Sequence, residues 1–190
     1  MTLNGAWTER ISFSLAFSAL KSLSRTSPGN SEWENDPGMV GSLFDNPNSL
    51  INSRNRPFFD RGFTSKLAVL YRAPGEWRVG LLARYYDGLP FGRRLVVLGF
   101  NQGPFFVHAT PRGDPVGHRT EYNLTADLRL RRSFALAKGP RLTLVIDVFN
   151  LLNSDQKTRE NDLTGPLFPL RVPLEVQAPR VIRLGAEVDF

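Results

Sequence analysis

Arg180-Val181-Ile182-Arg183-Leu184-Gly185-Ala186-Glu187-Val188-Asp189-Phe190 is the stretch whose reading decides the fold. From Ile182 onward the even positions are apolar (Ile182, Leu184, Ala186, Val188, Phe190). The odd positions are charged or glycine (Arg183, Gly185, Glu187, Asp189). A period of two is the mark of a β-strand with one apolar face. Chains usually trail off in untethered polar residues, whereas this one stops on an aromatic residue inside its best strand.

The segment from Arg183 to Phe190 resembles the carboxyl-terminal signal of bacterial outer-membrane barrels: a polar residue, a spaced glycine, and alternate hydrophobics ending in Phe. The resemblance implies that Arg183, Gly185, Val188 and Phe190 form the signal read by the barrel-assembly machinery. The competing reading is an ordinary β-sandwich strand, and the remaining chain has to discriminate between the two.

Working outward, the same alternation recurs. Ile11 to Ala19 sets Ile, Phe, Leu, Phe and Ala against mostly serine. Strands are expected near Phe63 to Arg72 and Trp77 to Asp87, joined by Ala73-Pro74-Gly75-Glu76, where Pro and Gly occupy the central positions of a type II turn. Leu67, Val69, Tyr71, Trp77, Val79, Leu81, Ala83 and Tyr85 share one face of that hairpin, with Arg72, Arg78 and Arg84 on the other; Leu70 and Leu82 break the pattern. A further hairpin sets Tyr122, Leu124, Ala126, Leu128 and Leu130 beside Leu142, Leu144, Ile146 and Val148. Ala137-Lys138-Gly139-Pro140 joins its strands, and Val145 and Phe149 are its exceptions.

Between these hairpins lie long polar connections, Ser24 to Asp60, Gly88 to Arg119 and Asn153 to Ala178, with Leu95-Val96-Val97-Leu98 as a short strand inside the second. The connections therefore alternate long and short. Unstructured runs of this length are uncommon in compact domains, where connections take about 4–6 residues. Outer-membrane barrels, by contrast, combine short turns on one side with long loops on the other, strands of about 9–11 residues, apolar-out and polar-in alternation, and interfacial aromatics. Trp7, Trp77, Tyr85, Tyr122 and Phe190 are the candidates for those aromatics. Asp127, Arg129, Arg131, Arg141, Asp147, Arg183 and Glu187 fall on the opposite face, where they suit a hydrated lumen and can pair with one another or with a plug.

The expected fold class is all-β, with antiparallel up-and-down strands forming part of a transmembrane β-barrel: about six spanning strands with long outer loops, over residues 1–190. Because single-chain barrels start at about eight strands, the expectation is a carboxyl-terminal portion of a larger barrel.

Composition closes off other classes. The chain has 190 residues, 41% hydrophobic and 22% charged, which is not a disordered composition. It contains no run of about 18 apolar residues that would form a transmembrane helix, and its first residues lack the basic and apolar regions of a secretory signal. With no cysteine, disulfides, thiolate metal sites and cysteine nucleophiles are excluded together. The net charge of +6 would permit polyanion binding, but the arginines are scattered, and no nucleic-acid partner is expected. Anionic lipopolysaccharide suits the same charge.

His108 and His118 are the only histidines, and both read as loop residues, with ligand contact open to them. Glu160-Asn161-Asp162-Leu163-Thr164-Gly165 reads as a turn rather than a calcium loop, for it lacks the spaced ligands of an EF-hand. No phosphate loop, dinucleotide fingerprint or nucleophile-elbow motif is present. No catalytic residue, cofactor or metal is therefore expected. The ligand-binding residues are not assignable from sequence.

Arg84-Tyr85-Tyr86-Asp87-Gly88-Leu89-Pro90-Phe91, Asp147-Val148-Phe149-Asn150-Leu151-Leu152-Asn153 and Ala178-Pro179-Arg180 leading to Leu184-Gly185 and Phe190 carry a closer likeness. In their order and spacing they resemble the last third of the barrel in TonB-dependent outer-membrane receptors, in particular the branch with a carboxypeptidase-regulatory-like amino-terminal domain. The resemblance covers nearly all 190 residues. It implies a cell outer-membrane location, lipid and lipopolysaccharide as surroundings, and, in the complete protein, uptake of a scarce ligand such as a siderophore, cobalamin or oligosaccharide. The TonB complex would act only through a plug domain which, like the TonB box and signal peptide, these residues do not contain. A β-sandwich binding module and, behind it, an envelope barrel enzyme are the alternatives.

Overall fold

The computed structural model describes residues 1–25, 51–57, 60–99, 101, 105–113, 119–136, 139–165 and 171–189. The fold is all-β, with no helix among the described residues. Seven strands make one antiparallel sheet: β1 (Thr2–Thr8), β2 (Ile11–Ala19), β5 (Phe63–Ala73), β6 (Trp77–Tyr86), β9 (Asn123–Ala135), β10 (Arg141–Phe149) and β14 (Val181–Asp189). Their spatial order follows their sequence order, so every neighbour is reached by an up-and-down connection.

The expected strands appear where alternation placed them, and β1 is an addition that raises the count from six to seven. Its apolar side carries Leu3 and Gly5, a pattern too thin to read by itself. Gly5 lies opposite Phe13, and the ring of Phe13 covers the glycine so closely that a β-carbon would come within 2.8 Å of it. The aromatic ring thus supplies the packing that the glycine lacks.

Register puts like with like. Phe13, Val69, Leu81, Leu128, Val148 and Ile182 form one continuous cross-strand row, and Ile11, Tyr71, Val79, Leu130, Ile146 and Leu184 form the next. Direct opposition across antiparallel strands keeps each row on one face. The polar rows behave in the same way: Ser12, Leu70, Gly80, Arg129, Asp147 and Arg183 stand in line on the other face.

Burial is inverted relative to an ordinary domain. Among the described residues only Phe91 and Ala126 are buried hydrophobics, whereas Asp60, His108, Thr143 and Asp147 are buried polar groups. Large apolar side chains stand exposed across the sheet, with Leu184 74% and Ile182 63% accessible. A chain of this size that folds around its own core buries most of its hydrophobic surface; this sheet offers its hydrophobic surface outward.

The three short turns, after β1, β5 and β9, lie at one end of the sheet. In the second, Gly75 takes the left-handed conformation (φ 73°) that the Pro-Gly pair announces, and Glu76 takes it as well (φ 64°), which the sequence did not signal. The long connections lie at the other end and contain small sheets of their own: β3 (Ser24–Arg25) with β4 (Arg54–Asn55), β7 (Arg94–Val97) between β8 (Phe105–His108) and β12 (Leu163–Thr164), and β11 (Lys157–Glu160) with β13 (Pro173–Val176). The run expected at Leu95–Leu98 is β7, one residue earlier. Most of the expected loop Ser24 to Asp60 lies outside the described residues.

Candidate functional site

The polar face of the sheet is built from strand positions that alternation turns away from the apolar rows. Arg129 donates to Asp147 through Nε at 2.6 Å and through a terminal nitrogen at 3.1 Å, and Arg183 donates to the same carboxylate at 3.0 and 2.7 Å. Arg84 pairs with Asp127, Arg131 with Glu187, and the Ser133 and Thr143 hydroxyls share a 2.9 Å hydrogen bond. Arg84 and Asp127 lie on adjacent strands, as do Ser133 and Thr143, and Arg131 reaches Glu187 across the intervening β10, so the sheet register itself creates the network. Asp147 is only 5% exposed, and its two arginine partners, Arg129 spanning both oxygens and Arg183 placing two donors on Oδ2, satisfy it where a lone carboxylate would be costly.

Basic groups outnumber acidic ones here. Lys66, Arg72, Arg78, Arg84, Arg129, Arg131, Arg141 and Arg183 face Asp127, Asp147, Glu187 and Asp189, an excess of four positive charges. A groove of about 520 Å³ crosses this face. It gathers three of the four residues that broke the alternation, Leu70, Leu82 and Phe149, beside Asp127, Arg129, Asp147 and Arg183. The fourth, Val145, is opposite Gly185, where the absent side chain leaves it room: a β-carbon on Gly185 would sit 3.9 Å from that of Val145.

The four residues assigned to the assembly signal fall as follows. Arg183 joins the Asp147 network and lies over the Phe149 ring at 5.4 Å. Gly185 faces Val145 on the same surface. Val188, opposite Leu142, belongs to the apolar face and is about half exposed. Phe190 lies outside the described residues.

At the loop end, Asp60 is the tie. Its carboxylate, fully buried, accepts from the Ser22 backbone N–H at 2.7 Å, the Ser22 hydroxyl at 2.9 Å, Arg56 at 3.1 Å and Arg119 at 2.7 Å. Arg119 also donates to the carbonyls of Asp60 and Gly88. Four segments distant in sequence are thereby held together. Burial works against the charged form of Asp60, but the Ser22, Arg119 and Arg56 donors outweigh it and leave its carboxyl below the usual range. Gly88 is indispensable at this junction, since a β-carbon there would come within 2.0 Å of the Thr120 carbonyl oxygen.

A smaller cleft of about 240 Å³ opens where strands β6 and β9 meet the loops, lined by Arg61, Arg84, Tyr86, Glu121, Asn123 and Gln177. Arg61 covers the Tyr86 ring at 5.4 Å. Its hydrogen-bonding groups and aromatic ring are suited to a polar solute.

The sequence left ligand contact open to the histidines. His108 is instead fully buried in β8, and its carbonyl accepts from Asn52 at 2.9 Å; His118 lies outside the described residues. In the acidic turn, Glu160 engages Arg171, Asp162 engages Arg94, and the Asn161 side chain accepts from the Leu163 N–H. Comparison with protein-family models, with curated proteins and with solved structures yields no match for this chain.

Proposed function

We propose that this chain is the carboxyl-terminal part of an outer-membrane barrel, and that in its complete form it serves as a TonB-dependent receptor taking up a scarce ligand. The observation that carries the reading is the inverted burial: apolar rows run unbroken across six strands on an exposed face while Thr125, Thr143 and Asp147 are buried on the opposite one. Hydrocarbon is the solvent in which that arrangement is favourable, at roughly 25 cal/mol for each Å² of apolar surface removed from water.

Two further features support it. Trp77 and Trp7 stand near the short turns, while Tyr85 and Tyr122 stack at the loop end with ring centroids 5.8 Å apart, giving an aromatic belt at each edge of the band. Long connections gather on one side only, as expected where one side faces the medium. On this reading the polar face lines the lumen, its positive excess favours an anionic plug surface or solute, and the cleft at Arg61 and Tyr86 lies at the mouth. The role is carriage, not catalysis.

The test is cellular. The complete protein is expected in the outer-membrane fraction, and its uptake of ligand should cease when TonB is removed while ligand binding persists. Recovery of the complete protein in the soluble fraction would overturn the proposal.

A further inference from the structure

Among the described residues of the seven-stranded sheet, the apolar face carries a single charged side chain. Arg132 lies on β9 opposite Trp77 on β6 and Leu144 on β10, an even-numbered position in a row of hydrophobics. Its guanidinium sits over the Trp77 ring at 5.0 Å and the Phe134 ring at 4.7 Å. Its Nε is buried and has no hydrogen-bond partner among the described residues. Arg84, Arg129, Arg131 and Arg183 on the opposite face each meet a carboxylate instead.

We propose that Arg132, with Trp77 and Phe134, forms a binding site for the phosphate of an anionic phospholipid at the turn-side edge of the membrane. The inference rests on the apolar face being lipid-facing. Aromatic faces attract a cation but do not neutralise it, so a guanidinium at the edge of hydrocarbon retains a demand for an anion. The depth fits a headgroup, because Arg132 is three residues from the end of β9 and its partner Trp77 begins β6 directly after the turn. A guanidinium presents parallel N–H donors that match phosphate oxygens, while the acyl chains of the same lipid can lie along Leu130, Leu144 and Ile146. An ammonium-bearing headgroup brings a competing cation, which favours phosphatidylglycerol over phosphatidylcholine.

The experiment uses the full chain in neutral-detergent micelles, titrated separately with phosphatidylglycerol, phosphatidylcholine and inorganic phosphate, with lipid retention read by native mass spectrometry. The expected result is a preference of about fivefold for phosphatidylglycerol, the increment of one basic residue near an anionic surface. Arg132→Gln should abolish the preference, Arg132→Lys should keep part of it, and Arg78→Gln, on the opposite face near the same turns, should leave it unchanged. Equal retention of both lipids, or an undiminished preference in Arg132→Gln, overturns the site, and so does inorganic phosphate displacing the lipid. Recovery of the complete protein in the soluble fraction brings down the membrane reading and this site with it. Embedding without preference defeats the site alone.

Discussion

Asp60 concentrates the loop end of the molecule into one side chain, and its removal has a calculable effect. Asp60→Asn leaves Arg56 and Arg119 without their shared carboxylate, and breaking a buried ion pair typically costs about 3–5 kcal/mol. The loss should be local: hydrogen exchange at residues 20–22, 56, 60 and 119–120 is expected to accelerate while the strands of the large sheet keep their protection. Unchanged exchange in those segments would show that the tie is ornamental. Because the folded carboxyl titrates below its ordinary value of 3.8, its contribution is present above that value and is lost as the pH falls through the lower folded one. Loop protection should therefore hold at neutral and mildly acidic pH and fail only in strong acid. Gly88→Ala attacks the same junction sterically, and overpacking against the Thr120 carbonyl is expected to cost about 1–3 kcal/mol, read as earlier protease cleavage in the loops.

Single residues also mark where sequence reasoning stopped. The polar-face charges Asp127, Arg129, Arg131, Asp147, Arg183 and Glu187 were legible as one face from alternation, since period two needs no knowledge of partners. Their pairings were not, because those depend on register between strands. Arg132 escaped notice for a different reason: it extends the basic run Arg129-Leu130-Arg131, and only the unbroken register of β9 places it on the apolar side.

Among the elements, hairpins with strong local signals were readable. β5 and β6 announce themselves through alternation and Pro74-Gly75, and β9 and β10 do so through two clean runs. β1 was hidden because its apolar side depends on Gly5 sheltering beneath Phe13, a contact between strands. The small sheets were hidden because their pairing is distant in sequence: β12 at Leu163–Thr164 lies parallel to β7, which begins at Arg94. Face identity at the strand level yields a prediction. Ile146→Arg on the apolar face of β10 is expected to cost about 2–4 kcal/mol in lipid, whereas Glu187→Arg on the polar face of β14 should change stability by under about 1 kcal/mol, since its partner Arg131 is partly solvated. Urea unfolding in vesicles compares the two, and equal costs would contradict the assignment of faces. For the terminal strand, deletion of Phe190 in the complete protein should lower its amount in the outer membrane without altering ligand affinity in assembled molecules; unchanged receptor levels would remove the assembly-signal reading.

At the scale of the whole molecule, the sheet has two edges. β1 pairs only with β2, and β14 only with β10, among the described residues. Unsatisfied backbone groups in hydrocarbon cost several kcal/mol each, so in a membrane both edges require strand neighbours from further strands or further copies. In plain buffer the exposed apolar rows should drive aggregation that detergent reverses. On β10 and β14 even and odd positions are expected to face different solvents, and the absence of native cysteine allows this to be measured directly. Single cysteines placed from Leu142 to Val148 and from Ile182 to Val188, spin-labelled in lipid vesicles, are to be assayed for collision with oxygen and with a water-soluble nickel chelate. A period of two is expected, with Leu144, Ile146, Leu184 and Ala186 favouring oxygen and Thr143, Val145, Arg183 and Glu187 favouring the chelate. Chelate access at both sets, or protection of the even set from both reagents as in a protein core, would contradict it.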